Sequence, residues 1–384
     1  MTSDAGAVCR GVAALIWLTA ACVAAPTDTS SGKHLVSPQA RDAILARAHV
    51  WRSPAVPIER ADLSVNPPGP FRDTDDVTCT FAPEIVGGTT PKFYCRAGDS
   101  REVKVKYGSD NPELPAETAA SRLLLALGFP VDHLFRVHSV RCVGCPPDPF
   151  SAMQCVEGGG ARDRCLAGAK PSQAVVFDEP TIERPLEGRA IDSVPDQGWS
   201  WYELDRIDPR VGGAPRAEVD ALRIMAVLLA HWDNKGSNQR LLCAPETASR
   251  DGSRPCAAPI ALVRDLGATF GPLKMDLPNW QHTSMWVDAR SCVATMKSLP
   301  YNGGTFGDHA ISEEGRQFVL RLLDRLSDVQ IRGLFAGSGA ARLNPVTAAA
   351  HDPDAWTRAF FDKVAAIRSA GPCPSAAALT SRGQ

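Results

Sequence analysis

His231-Trp232-Asp233-Asn234-Lys235-Gly236-Ser237-Asn238-Gln239-Arg240 is the stretch on which the fold of this chain turns. It follows a segment, 217–230, in which Ala221, Met225, Leu228 and Leu229 recur at helical spacing and predict a buried stripe. It precedes the apolar pair Leu241-Leu242. A stiff apolar helix therefore delivers a carboxylate, an ammonium and an amide oxygen into one short loop. Taken alone, such a loop is also what a helix C-terminus with solvated polar residues looks like, so its neighbours decide.

Downstream, Ala261-Leu262-Val263-Arg264-Asp265-Leu266-Gly267 reads as an apolar strand ending in an acid and a glycine, separated from the first stretch by a polar loop flanked by Cys243 and Cys256. Upstream, alternating or β-branched segments at 78–81, 92–96 and 102–107, parted by Gly and Pro clusters, predict three successive strands of a small antiparallel sheet. The period then changes: Ala116, Ala120, Leu124 and Leu127 share one helical face and Gly128 stops the helix. Apolar runs at 134–140 and 174–177 extend the sheet, with a Cys- and Gly-rich excursion between them. Beyond Cys292 the chain reads as helical, with a capped start at Ser312, a capping box at Ser327-Asp328-Val329-Gln330, and Asp352-Pro353 opening a last helix toward Arg368. The expected class is α+β in two lobes: a small antiparallel-sheet N-lobe with one helix over 71–185 and a mainly helical C-lobe over 186–372. A polar, Pro-rich lead-in at 26–70, with a short helix at 39–50, precedes them, and a tail at 373–384 follows.

The pattern His231, Asp233, Lys235, Asn238 resembles the protein-kinase catalytic loop, with Trp232 where that family has arginine. Asp265-Leu266-Gly267 resembles its D-F-G element, with leucine for phenylalanine. The resemblance covers about 78–334 and is nearer to atypical, HipA-like and secretory-pathway kinases than to ordinary ones. It implies Asp233 as catalytic base, Lys235 as γ-phosphate contact, and Asn238 and Asp265 as ligands to Mg²⁺ or Mn²⁺. It further implies ATP held by a strand lysine paired with Glu117. Lys104 and Lys106 share one strand face; Lys106 is preferred and Lys104 is the alternative. Gly87, Gly88, Thr89 and Thr90 sit in the hairpin that would cover phosphate, although G-x-G-x-x-G is absent. The arginine of that family usually holds a phosphorylated activation loop, so Trp232 argues against such regulation. Fold likeness leaves the acceptor open among protein, lipid and glycan hydroxyls. A pseudokinase or binding module, and nucleotidyl transfer at the same metal site, remain the rival readings.

Composition bounds the rest. The chain has 384 residues, 44% of them apolar, enough for a large core. Forty-one basic against 43 acidic side chains leave a net charge of -2, which gives no whole-molecule field for nucleic acid. The apolar run 11–25 after Arg10 is too short to span a bilayer and reads as an export signal, either cleaved after Ala25 or ending in a lipobox before Cys22, whose lipid would be the sole membrane attachment. Apart from Cys9 and Cys22, ten cysteines remain, an even number that predicts disulfides in an exported chain. Cys79 with Cys95 and Cys243 with Cys256 are the expected pairs; Cys142 and Cys145, with Cys155 and Cys165, allow a four-thiolate zinc site as an alternative. Trp199 and Trp201 read as packing of the large lobe or as an acceptor platform. His133, His138 and His309 lack companions at ligand spacing.

Overall fold

The computed structural model describes residues 34–98, 101–194, 197–244, 256–301, 303–343 and 351–380. The expected export signal at 1–25, with Cys9 and the lipobox Cys22, lies outside these residues.

The chain opens with β1 (His34–Leu35) and α1 (Pro38–Leu45), the latter capped by the Ser37 side chain. The described part of this lead-in packs into the fold. Leu45, Ala48, Val50, Ile58 and Leu63 are buried in the largest hydrophobic core, and His49 bridges to Ile260.

The N-lobe begins with the expected antiparallel meander, β2 (Asp76–Ala82), β3 (Lys92–Arg96) and β4 (Glu102–Lys106). Next comes α2 (Glu113–Leu127), ended by Gly128 at φ 91°, where a Cβ would lie 2.1 Å from the Arg52 carbonyl oxygen. Only glycine permits both the left-handed turn and that approach. The sheet itself is larger than the sequence predicts and includes a parallel pair. Instead of one strand at 134–140 there are β5 (His133–Arg136) and β6 (Ser139–Val143), followed by α3 (Pro149–Glu157), α4 (Arg162–Cys165), β7 (Ala174–Asp178) and β8 (Thr181–Arg184). The pairs His133↔Arg184, Arg136↔Thr181, Ser139↔Asp178 and Val143↔Ala174 keep one register, so β5–β6 and β7–β8 are the two arms of a single long hairpin. It bends at 137–138 and at Glu179 (φ 50°), where Val137 N–H donates to Pro180 O at 3.2 Å and Glu179 N–H to His138 O at 2.9 Å. One arm pairs β8 with β4, and the other pairs β6 in parallel with β2. The hairpin therefore closes the meander into a ring, which pairs its edges. The ring is filled by Val77, Phe93, Val103, Val105, Phe135 and Ile182, among others.

After β9 (Arg189–Asp192) the C-lobe is built on α5 (Arg216–Leu228), buried from Val219 to Leu228. The hairpin β10 (Gln239–Cys243) and β11 (Pro259–Val263) follows, then α6 (Leu277–His282) and the small sheet β12 (Trp286–Asp288), β13 (Val293–Ala294) and β14 (His309–Ala310). Next come α7 (Glu313–Leu323), α8 (Asp328–Gly337), α9 (Pro353–Ser369) and α10 (Ala376–Thr380). Ser312, Ser327 and Asp352 cap α7, α8 and α9 as their spacing predicts. Trp199 and Trp201 are fully buried in this lobe, the packing reading of that aromatic cluster. The apolar face of α2 joins the same core through Ala116, Ala120, Leu123 and Leu127, which fixes the N-lobe helix against the C-lobe.

Both expected disulfides form, and Cys142–Cys145, Cys155–Cys165 and Cys292–Cys373 join them. The zinc alternative fails because its four sulfurs are consumed in two of these bonds. Cross-links restrict the unfolded chain more when they close longer loops. Breaking Cys292–Cys373, whose sequence separation is 81, should therefore cost most, about 4 kcal/mol, against roughly 2 kcal/mol for Cys142–Cys145, separated by 3. Urea midpoints of the two double-serine variants would check that order, and equal losses would contradict it.

Candidate active site

Alternation along β4 sends Val103 and Val105 into the ring and leaves Lys104 and Lys106 on the other face, toward α2. Lys106 is 2% exposed, and its Nζ lies 2.5 Å from Glu117 Oε2, 3.4 Å from Glu183 Oε2 and 3.8 Å from Asp265 Oδ1. Lys104 instead meets Glu183 Oε1 at 2.7 Å. Only Lys106 faces the helix acid, and Lys104 is engaged by Glu183 instead. Burial alone would drive a proton off Lys106, but Glu117, Glu183 and Asp265 outweigh it and hold its pKa well above the ordinary value. Burial likewise opposes the Glu183 carboxylate, yet Lys104, Lys106 and Arg264 keep it well below the usual range. The Asp265 side chain is 45% exposed. Partial desolvation pushes it up, and Lys106, with Lys104 and Lys92, outweighs that push so that it stays ionised.

The loop at 231–238 is fixed from both ends. Ala230 turns the chain out of α5 at φ 53°, and His231 is fully buried beneath it. Asp233 Oδ1 and Lys235 Nζ form an ion pair at 3.2 Å, and Asn238 Nδ2 donates to Asp233 O at 2.8 Å. That bond leaves the Asn238 side-chain oxygen without a donor among the described residues. Pairing of Gln239 with Val263 at the end of the β10–β11 hairpin brings Asn238 and Asp265 to the same end of the hairpin. Trp232 ties the two loops together: its N–H donates to Ala268 O and its Nε1 to Gly271 O, both at 3.2 Å, and Lys274 sits 6.0 Å over its ring. A neutral indole therefore holds the segment after Asp265. Asn234 braces the opposite side, accepting from Thr305 N–H at 2.8 Å and Phe306 N–H at 3.0 Å.

Burial lowers the His231 pKa to about 4. The unfolded chain, with an ordinary histidine near 6.5, binds a proton that the native state refuses between those two values. Stability should accordingly fall as pH drops from about 6.5 to 4 and lose no more from this residue below that. Denaturation midpoints of the wild type against His231→Phe across this window would show it; parallel pH profiles would contradict it.

Gly87 and Thr89 are exposed in the loop between β2 and β3, and a Cβ at Gly87 would meet nothing within 4 Å. Gly88 turns with φ 87°. Thr90 departs from the expected phosphate cradle. It is buried, and its hydroxyl donates to Glu113 at the start of α2, which also pairs with Lys274. The hydroxyl is drawn inward because a carboxylate is the stronger acceptor within reach.

Sequence reasoning missed Glu183, Lys92, Glu113 and Lys274. Glu183 sits in the largely buried strand Thr181-Ile182-Glu183-Arg184, where a carboxylate on a buried sheet face needs a cation. Among the described residues no three or more His, Cys, Asp or Glu side chains gather as a metal site. Asn238 and Asp265 offer two hard oxygen donors, a set that suits Mg²⁺ when phosphate supplies others.

In chain order, a ring-like sheet with a lysine gripped by a helix acid, a polar loop closing a buried helix, and an acid after the next hairpin make this an α+β chain of two-lobed, kinase-like fold. No protein-family model and no curated protein matches it. Among solved structures it is similar to the crystal structure of a Helicobacter pylori proinflammatory kinase CtkA, at 13% identity and a TM-score of 0.42, over 77% of this chain and 98% of that one. So slight a likeness adds nothing to the geometry. No helix among the described residues is long and apolar enough to cross a membrane.

Proposed function

We propose that this chain is a metal-dependent phosphotransferase that moves the γ-phosphoryl group of ATP to an acceptor hydroxyl. The observation that carries the reading is that Glu117, on the helix after the strand of Lys106, and Asp265, from a loop far downstream, both lie within 3.8 Å of the Lys106 ammonium. A buried lysine held charged by two acids beside a third, accessible one is a costly arrangement for mere stability.

In this reading Glu117 orients Lys106 toward the α- and β-phosphates, and the backbone of Gly87, Gly88 and Thr89 covers them, with Thr90 anchoring the loop to Glu113. Asn238 and Asp265 would hold Mg²⁺ or Mn²⁺, which neutralises phosphate charge when bound. Asp233 accepts or directs the acceptor proton, and Lys235, paired with it at 3.2 Å, is placed to meet the transferred group. The five disulfides fit an oxidising compartment, in keeping with export.

The test is label transfer from ATP to pooled proteins, lipids and glycans. Transfer from the γ- but not the α-position, lost on chelating the metal with EDTA and restored by Mg²⁺ or Mn²⁺, is the expected result. Transfer from the α-position would make the chain a nucleotidyl transferase. Thermal stabilisation by ATP and Mg²⁺ without transfer of either label would make it a binding module.

A further inference from the structure

We propose that Lys92 is a second phosphate-binding cation of this cleft and supplies the positive charge that its other cations lack. Lys92 lies directly across the β3–β4 ladder from Lys106, so the two ammonium groups share a face. The other cations there are already matched. Lys106 is held by Glu117 and Glu183, Lys104 by Glu183, and Arg264 by Asp132 at 2.5 Å. Lys92 has no carboxylate within ion-pair distance among the described residues, although it is half-buried.

Burial and the neighbouring Lys106 both push its pKa down, with Asp265 and Glu113 acting in the other direction from beyond contact. A half-buried, unmatched cation beside a like charge weakens the resting protein unless an anion arrives. Its position says which anion. A Cβ built on Gly88 would lie 3.1 Å from Lys92 Nζ, so the ammonium sits beneath the glycine turn. The ammonium and the backbone N–H groups of the turn lie side by side, a pairing of donors that suits the polyphosphate of a nucleoside triphosphate. Lys106, being neutralised by its acids, acts chiefly as an oriented donor, whereas Lys92 brings net charge.

This inference rests on reading the cleft as a nucleotide site, and the experiment separates the two. Calorimetric titration of the folded, disulfide-intact chain with ATP, pyrophosphate and adenosine, each with Mg²⁺, is run on wild type, Lys92→Met and Lys92→Arg. Lys92→Met should weaken ATP binding by about tenfold or more, flatten its salt dependence and leave adenosine binding unchanged, while Lys92→Arg restores most of the loss. The ligand-free Lys92→Met protein should melt no lower than wild type, an outcome a structural lysine would not give. Wild-type binding of ATP that Lys92→Met matches within about twofold would overturn the role of Lys92 and leave the nucleotide reading intact. Binding of pyrophosphate but not ATP, lost in Lys92→Met, would keep Lys92 as an anion contact and overturn the nucleotide reading. Binding of neither would overturn both.

Discussion

Replacing Asp265 with Asn is expected to reduce phosphoryl transfer by about a thousandfold or more while leaving the fold intact. In the proposed site the Asp265 carboxylate, kept ionised by Lys106, would serve a metal together with Asn238, and an amide cannot replace its charge. Stability should change little, since the side chain is 45% exposed and Lys106 retains Glu117 and Glu183. Asn is the informative substitution because residue 265 sits at φ 53°, a conformation that Asn adopts readily and Ala does not. Asp265→Ala should be as inactive and additionally destabilised by about 1 kcal/mol. Turnover with γ-labelled ATP, read beside thermal melts of both variants, checks this. An Asp265→Asn protein with near wild-type turnover would remove the acid from the mechanism.

Lys106→Met should be the most damaging change to the folded state within the cleft. It strands Glu117, nearly fully buried, beside the Glu183 carboxylate that Lys104 and Arg264 still hold, and loss of one partner from a buried ion pair costs about 3–5 kcal/mol. Glu117→Gln should cost less, because Lys106 keeps Glu183 at 3.4 Å and Asp265 at 3.8 Å, and the amide can still accept a hydrogen bond. Both should lose transfer, Lys106→Met the more. Chemical denaturation of the pair gives the ranking directly. Should Lys106→Met prove as stable as wild type, the lysine would not be the charge centre that the structure makes it.

The tolerance of Trp232 follows the same logic of what holds what. A phosphate-dependent arginine would make the segment after Asp265 conditional on modification, whereas the indole bond to Gly271 O and the packing of Lys274 over the ring are present in the unmodified chain. This cleft is organised without any such addition.

Much of this site was legible in the linear chain because its signals are local. Helical spacing ending at His231, the acid and glycine at 265–267, the caps at Ser312, Ser327 and Asp352, and the Cys79–Cys95 and Cys243–Cys256 pairs all depend on residues close in sequence. Strand alternation placed Lys104 and Lys106 on one face and could go no further.

What the sequence determined by itself was the order of strands and helices and the stock of charged groups, since short-range sterics and periodic burial act on neighbours along the chain. Tertiary structure alone decided the partnerships that no local pattern carries. The long hairpin curls round to bring Glu183 between two lysines, awarding Lys106 to Glu117, and the Glu113 carboxylate captures the Thr90 hydroxyl. Which charges come within a few ångströms of each other, and how dry that place is, are set by closure of the ring and by docking of α2 on the C-lobe core.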